Sequence, residues 1–327
     1  MSGVRVRPTR RVPVTRVHGD RRRPRERDAV AAEEPMEIRL LAGPPVRPPS
    51  RGGHARGATV AVTMRTPGND FELAAGFLHS EGIVAGREEL LTLRYCSDEA
   101  EEARYNIVNV HLRAPALPPI ERLERHFTMT SACGVCGKAH LDALEVRCPA
   151  PPGPGPVISA DVLETLPDRL REAQAIFGRT GGLHAAGLFT PDGELLAIRE
   201  DVGRHNALDK LLGWALLEDK LPLADQVLCV SGRASFELLQ KAVAAGAPFF
   251  AAVSAPSSLA VEVAERFGVT LVGFLRGERF NVYSGEHRVS MQAPARRTDV
   301  RRAGSAAVAG RDGGPRGRAA STPRNGP

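Results

Sequence analysis

The sequence predicts an α/β protein, with helices on both faces of a mostly parallel sheet and a smaller α+β unit ahead of it. Three observations carry this reading. From residue 157 onward, apolar runs such as QVLCVSG and PFFAAVS alternate with amphipathic stretches such as SFELLQKAVAAG and SSLAVEVAERFG. That is the rhythm of strands joined by crossover helices. Before that point the pattern is one of half-buried strands around a short helix. Between the two lies PAPPGPGP at 149–156, a linker or long surface loop by composition.

Taken in order, residues 1–57 read as a mostly disordered basic tail. Their first 33 positions hold ten arginines against four acids and show no apolar period. Order begins near Ala58, where ATVAVTMRTP alternates like a strand. Asn69 and Asp70 offer N-caps for the helix FELAAGFLHSEG, which Gly82 can end. Strands follow at 89–95 and in NIVNVHLR (106–113). PALPPI interrupts, a short helix is expected around 120–126, and FTMTSACGVCGK runs as strand into loop. This first unit spans 58–148.

The second unit, 157–292, opens with a helix at 161–177. A hairpin of LHAAGLF and LLAIRED turns on PDGE, a helix covers 204–217, and strands and helices then alternate to a last strand, RFNVYSG. Residues 293–327, with eight arginines against two acids, read as a second disordered basic tail.

The net charge of +6 over 327 residues is therefore misleading. Each tail contributes about +6, which leaves a mildly acidic body. Such a body is not a phosphate-tracking surface, so a nucleic-acid partner is not expected. No apolar run approaches the roughly eighteen residues of a membrane span. An N-terminal twin arginine lacks the apolar stretch of a secretory signal, and the expected location is cytoplasmic. Five cysteines, an odd number, do not form a disulfide framework. Cys96, Cys148 and Cys229 sit in apolar or irregular contexts and read as buried or incidental.

Cys133 and Cys136 are different. SACGVCGK (131–138) sets two thiols three residues apart on a glycine-rich turn. A zinc site needs about four ligands, and this one offers two, or three with His140. No metal is assigned to it. A thioredoxin-like dithiol would open a helix, whereas Gly134 and Gly137 favour a mobile loop. A sulfur relay fits best: Lys138 and the amides of a glycine turn favour a thiolate, and the turn can swing between partners. Lys138 is one of only four lysines among 44 basic residues.

Two further stretches stand out. EDVGRHNALDK and SGRASFELLQKA each lead from a strand into a helix. Their loops fall at carboxyl ends of strands, where open α/β sheets bind ligands, and helix N-termini favour anions. Asp201 can cap the first helix, and His205 and Asp209 share one of its faces. HAA at 184–186 lacks the glutamate of a zinc deaminase's HAE, which excludes that chemistry.

SACGVCGK, EDVGRHNALDK, SGRASFELLQKA, VSAPSSLAVEVAERFGVTLVGFLRG and RFNVYSG, in this order, resemble the formate dehydrogenase accessory sulfurtransferases, the FdhD family. The likeness runs from about 58 to 290. It implies a cytidine-deaminase-like α/β domain carrying the smaller unit, as a homodimer. It also implies an activity: accepting persulfide sulfur from a cysteine desulfurase and delivering it to molybdenum. The molybdenum lies in a bis(molybdopterin guanine dinucleotide) cofactor, held as a bound substrate, on which formate dehydrogenase depends. Cys133 would be the persulfide carrier and Cys136 its helper. The cofactor segment would be Phe280, Asn281, Val282, Tyr283, Ser284 and Gly285. The competing class is a zinc-stabilised scaffold that escorts the cofactor without transferring sulfur.

Overall fold

Two main sheets lie on either side of a pair of helices that touch backbone to backbone. The computed structural model describes residues 7–23, 25–45, 57–96, 105–118 and 154–291. The loop with Cys133, Cys136, Lys138 and His140, the helix expected at 120–126, Cys148 and the 293–327 tail lie outside them.

β1 (Thr9–Val14), β2 (Val17–His18), β3 (Arg21–Arg22) and β4 (Glu26–Ala31) form an arginine-rich ribbon. β1 pairs antiparallel with β4, and β2 with β3 closes the tip. β5 (Glu34–Ala42) and β6 (Ala58–Arg65) follow, then α1 (Asp70–Ser80), β7 (Leu90–Tyr95) and β8 (Ile107–Leu112). The first sheet has the order β6-β5-β8-β7.

This corrects the expectation of a disordered tail through residue 57. β5 is an inner strand, antiparallel to β6 and parallel to β8. Met36, Ile38 and Leu40 alternate along it and are fully buried, against Leu73, Ala74 and Leu78 of α1. A period of two was present, but the surrounding arginines and prolines masked it.

The second half runs β9 (Ile158–Ser159), α2 (Ala160–Ala173), α3 (Phe177–Thr180), β10 (His184–Phe189) and β11 (Leu195–Asp201). It continues through α4 (Arg204–Leu217), β12 (Val227–Val230), α5 (Phe236–Ala244), β13 (Phe249–Ala252) and α6 (Ser258–Arg266). β14 (Thr270–Arg276), β15 (Arg279–Ser284) and β16 (Val289–Ser290) complete it.

The large sheet has the order β11-β10-β12-β13-β14-β15. α2 covers one face through Leu163, Leu166 and Leu170, while α4, α5 and α6 cover the other. Helices on both faces and the β10–β11 hairpin agree with the sequence reading; the mostly parallel pairing does not. Only β12, β13 and β14 run parallel, because a hairpin closes each flank and turns β10 and β15 around. Periodicity reports burial, not direction, so beyond the β10–β11 hairpin the antiparallel pairing was not visible in it.

Nor are the two sheets separate bodies, since both belong to one unit that ends at Ala293. α1 and α4 join them. A Cβ added at Gly76 would overlap the carbonyl of Asp209 and lie 2.7 Å from the Gly213 nitrogen. One added at Gly213 would overlap the carbonyl of Glu72 and lie 2.7 Å from the Gly76 nitrogen. Only glycine at both positions allows this approach.

Buried charges flank the crossing. Lys210 Nζ lies 2.7 Å from Asp201 Oδ2 and donates to the Thr66 carbonyl at 2.8 Å. Lys241 Nζ lies 2.9 Å from Asp209, which also accepts from Ser80 Oγ. Arg65 holds Asp70 through two hydrogen bonds, at 3.0 and 2.9 Å. Asp201 is thus no helix cap, as expected from sequence, but a hub: it also accepts from the amides of Thr66 and Gly203. Asp201→Ala should leave the Lys210 ammonium buried and unpaired, a loss of about 3–5 kcal/mol. Urea unfolding would measure it, and a loss below about 1 kcal/mol would show the pair to be dispensable.

Candidate functional site

Three loops converge at one edge of the large sheet. The loop after β12 (231–235) feeds α5, the loop after β13 (253–257) feeds α6, and the turn after β11 feeds α4. The first two are zipped together: Ser254 N donates to Gly232 O, Ala234 N to Ala255 O and Ser257 N to Ala234 O. His184, first residue of β10, faces this loop, its Nδ1 3.5 Å from where a Cβ on Gly232 would sit. Arg204, first residue of α4, approaches the same point from the other side at 4.0 Å.

The loops feeding α5 and α6 are local copies with one difference. Ser257 caps its helix by accepting from Ala260 N, whereas Ser235 makes no cap bond and its hydroxyl faces the Glu237 carboxylate. Arg204 Nε is buried without a hydrogen-bond partner, whereas His205 Nε2 lies 3.7 Å from the Glu237 carboxylate. Buried polar groups are normally paired; here Glu237 faces His205 and Ser235, while Arg204 Nε at the N-terminus of α4 is left to meet an acceptor such as an anion.

The electrostatics agree. Burial, with the charges of Arg204 and His205, pushes the His184 pKa below the usual imidazole range. His184 is therefore a neutral polar group at pH 7. The His205 ring, 3.7 Å away, holds the Glu237 carboxyl down at about 2. His205 and Asp209 do not act together as their spacing predicted, because Asp209 faces Lys241 and Ser80.

On the α2 side of the same edge lies a cleft of about 600 Å³, bordered by Arg171, Gln174, Phe177, His184 and Ser231. Three strand positions along from β12 stands β15. Of the six residues expected to hold a cofactor, Phe280 and Val282 pack into the core beneath α2. Ser284 Oγ donates to Val269 O, and Gly285 turns the chain at φ +66° against Thr270. Asn281 and Tyr283 remain; they are hydrogen-bonded to each other at 3.3 Å, and the Tyr283 ring reaches Gly273 near the loop after β13. Only these two offer polar groups toward the edge.

Sequence reasoning flagged Arg204, His205 and the 231–233 loop. It missed Gln174, whose buried Nε2 has no partner. Cys133 and Cys136 lie outside the described residues. The described thiols, Cys96 and Cys229, are both buried, and burial pushes the Cys229 thiol up to about 12, which leaves it inert. No group of side chains able to hold a metal occurs among the described residues. No described helix is long and apolar enough to cross a membrane.

Residues 54–290 match the model of the FdhD/NarQ family. A sulfur carrier protein FdhD from Nocardia farcinica is 50% identical over 301 residues, covering 91% of this chain and all of the relative. One from Streptomyces avermitilis is 53% identical over 272 residues, covering 82% of this chain and 91% of the relative. One from Sulfurisphaera tokodaii is 43% identical over 265 residues, covering 81% and 92%. Among solved structures, a formate dehydrogenase accessory protein from Desulfotalea psychrophila shares the fold, with a TM-score of 0.64 at 23% identity. The superposition covers 86% of this chain and 99% of that one.

Proposed function

The chain belongs to the FdhD/NarQ family, and from that premise we propose that it is a sulfur carrier serving formate dehydrogenase, with Cys133 as the carrying atom. The observation that carries this is the pair Cys133 and Cys136 within the matched stretch, where described thiols elsewhere are buried.

In the first step the Cys133 thiolate attacks the terminal sulfur of a desulfurase persulfide. A new S–S bond forms on Cys133, the old one breaks, and the desulfurase thiolate leaves with the electron pair. In the second, the Cys136 thiolate attacks Sγ of Cys133. The terminal sulfur departs as sulfide, two electrons richer, for the molybdenum of the bis(molybdopterin guanine dinucleotide) substrate. A Cys133–Cys136 disulfide remains, and a cellular dithiol reduces it.

The substrate's pyrophosphates fit what the sheet edge offers. Arg204 Nε, at the N-terminus of α4, is a buried donor without an acceptor, and a phosphate oxygen would satisfy it with a charge-assisted bond. Asn281 and Tyr283, roughly 14 Å further along at the usual strand spacing, would meet a more distant part of so long a ligand. A homodimer in the cytoplasm, working with a cysteine desulfurase, completes the reading.

The test is mass spectrometry after incubation with a cysteine desulfurase and cysteine. The peptide holding Cys133 and Cys136 should become one sulfur atom heavier and return to its starting mass with cyanide. Stoichiometric zinc on an unmodified peptide would instead support the scaffold class.

A further inference from the structure

We propose that the hairpin joining β14 to β15 is the docking tip for the dehydrogenase that receives the sulfur, with Phe274 as its anchor and Arg276 and Arg279 as its rim. The inference rests on the preceding reading and adds the surface by which the client protein is met.

Two local preferences are violated at this tip. Between the pairs Gly273–Asn281 and Arg276–Arg279 the register shifts, so Phe274 and Leu275 together oppose Phe280. One class of bulge puts its first residue in the left-handed region, where glycine is the usual occupant. Here Phe274 takes that place, at φ +54°. For a bulky side chain the conformation is strained. Burial does not compensate, because Phe274 is 44% exposed while its neighbour Leu275 is fully buried. The surrounding backbone holds it there: Phe274 N donates to Ser254 O at 3.1 Å.

Charge is the second violation. Arg276 and Arg279 lie directly opposite each other across the strand pair, and like charges so placed repel. Arg276 Nε donates to Val253 O at 3.2 Å, and neither arginine has a carboxylate partner among the described residues. A two-residue turn joins them, opened by Gly277 at φ +54°. All four positions, 276–279, are exposed.

An exposed aromatic held against its preference, beside two unneutralised arginines, has the make-up of a protein–protein anchor, where phenylalanine and arginine are enriched. The partner face is an apolar recess edged by carboxylates. A turn exposed at every position gives no concave wall to a small molecule. Position selects the protein. β15 runs from Arg279 into Asn281 and Tyr283, and a Cβ on Gly273 would lie 3.0 Å from both Pro256 and the Tyr283 ring. The tip therefore flanks the edge assigned above to the cofactor. The dehydrogenase must reach that edge, whereas a desulfurase needs only Cys133.

The test is binding of formate dehydrogenase, purified from cells lacking this chain, to the immobilised full-length protein. Phe274→Gly should weaken it at least about tenfold. Arg276→Glu combined with Arg279→Glu should weaken it about tenfold at low salt and flatten its salt dependence. Both variants should load sulfur from the desulfurase as wild type does. Phe274→Gly should melt close to wild type, since glycine adopts this conformation freely. Unchanged dehydrogenase binding in Phe274→Gly overturns the inference, as does a wild type that does not bind the dehydrogenase. Loss of desulfurase loading with dehydrogenase binding intact would assign the tip to the desulfurase, and loss of self-association alone would assign it to a second copy; each overturns it too. If Phe274→Gly does not fold, the arginine variant decides. A wild type that binds the dehydrogenase through Phe274 yet never carries sulfur would overturn the preceding reading and leave the docking tip standing.

Discussion

Replacing Cys133 with alanine is expected to reduce desulfurase-dependent, cyanide-labile sulfur to background and to leave formate dehydrogenase inactive in cells that depend on this chain. The physical reason is narrow. A persulfide needs a thiolate that a protein partner can reach, and the described alternatives fail this test. Cys229 is fully buried with its thiol pushed up to about 12, and Cys96 is buried as well. Cys136→Ala should behave differently: sulfur still loads on Cys133, but release slows because the resolving attack is lost. Full labelling of the Cys133 variant would move the carrier role to Cys136. Equal loss in both variants, with zinc bound in wild type, would favour a structural pair.

Gly213→Ala is the second large effect, and it lies far from any chemistry. The added methyl would overlap the Glu72 carbonyl and sit 2.7 Å from the nitrogen of Gly76. The obstacle is backbone on a packed helix, so no side-chain rotation relieves it. Overpacking costs about 1–3 kcal/mol where neighbours can yield, and more is expected here. Separating α1 from α4 would also pull apart Ser80 and Asp209, Lys210 and the Thr66 carbonyl, and Arg199 and Glu72. The loss should exceed about 3 kcal/mol, or at least about 6 °C in melting temperature for a domain of this size. Gly76→Ala should match it, and the double variant should fall short of the sum, since both crowd one crossing. A shift below about 2 °C in either single variant would show that the helices can separate freely.

The α/β half was legible because its signals are local. β12 and β13 are uninterrupted apolar runs, and α4 was expected at 204–217, where it is found. What was missed depends on distant partners. β5 carries the alternation Met36, Ile38, Leu40, but its pairing strand β8 begins some seventy residues later, and basic composition hid it. Lysine scarcity drew attention to Lys138, yet Lys210 and Lys241 are the ones that prove buried and paired. Their partners come from other elements, so no spacing rule reveals them. The anion loops were legible as strand–glycine–arginine–helix patterns. Gln174 was not, because an unmet hydrogen bond has no signature in sequence. The cofactor segment came from resemblance alone, and of its six residues only Asn281 and Tyr283 keep polar groups available.

The place of β5 bears on how this protein is handled at the bench. The recognisable stretch begins at residue 54, twelve positions after β5 ends. Trimming an expression clone to that limit would pull the middle rung out of the small sheet. β6 and β8 would each be left with bare amides and carbonyls, a template for strand addition by a foreign chain. The shortened product would then precipitate for reasons unrelated to its sulfur chemistry, and an inactive result from it would say nothing about Cys133.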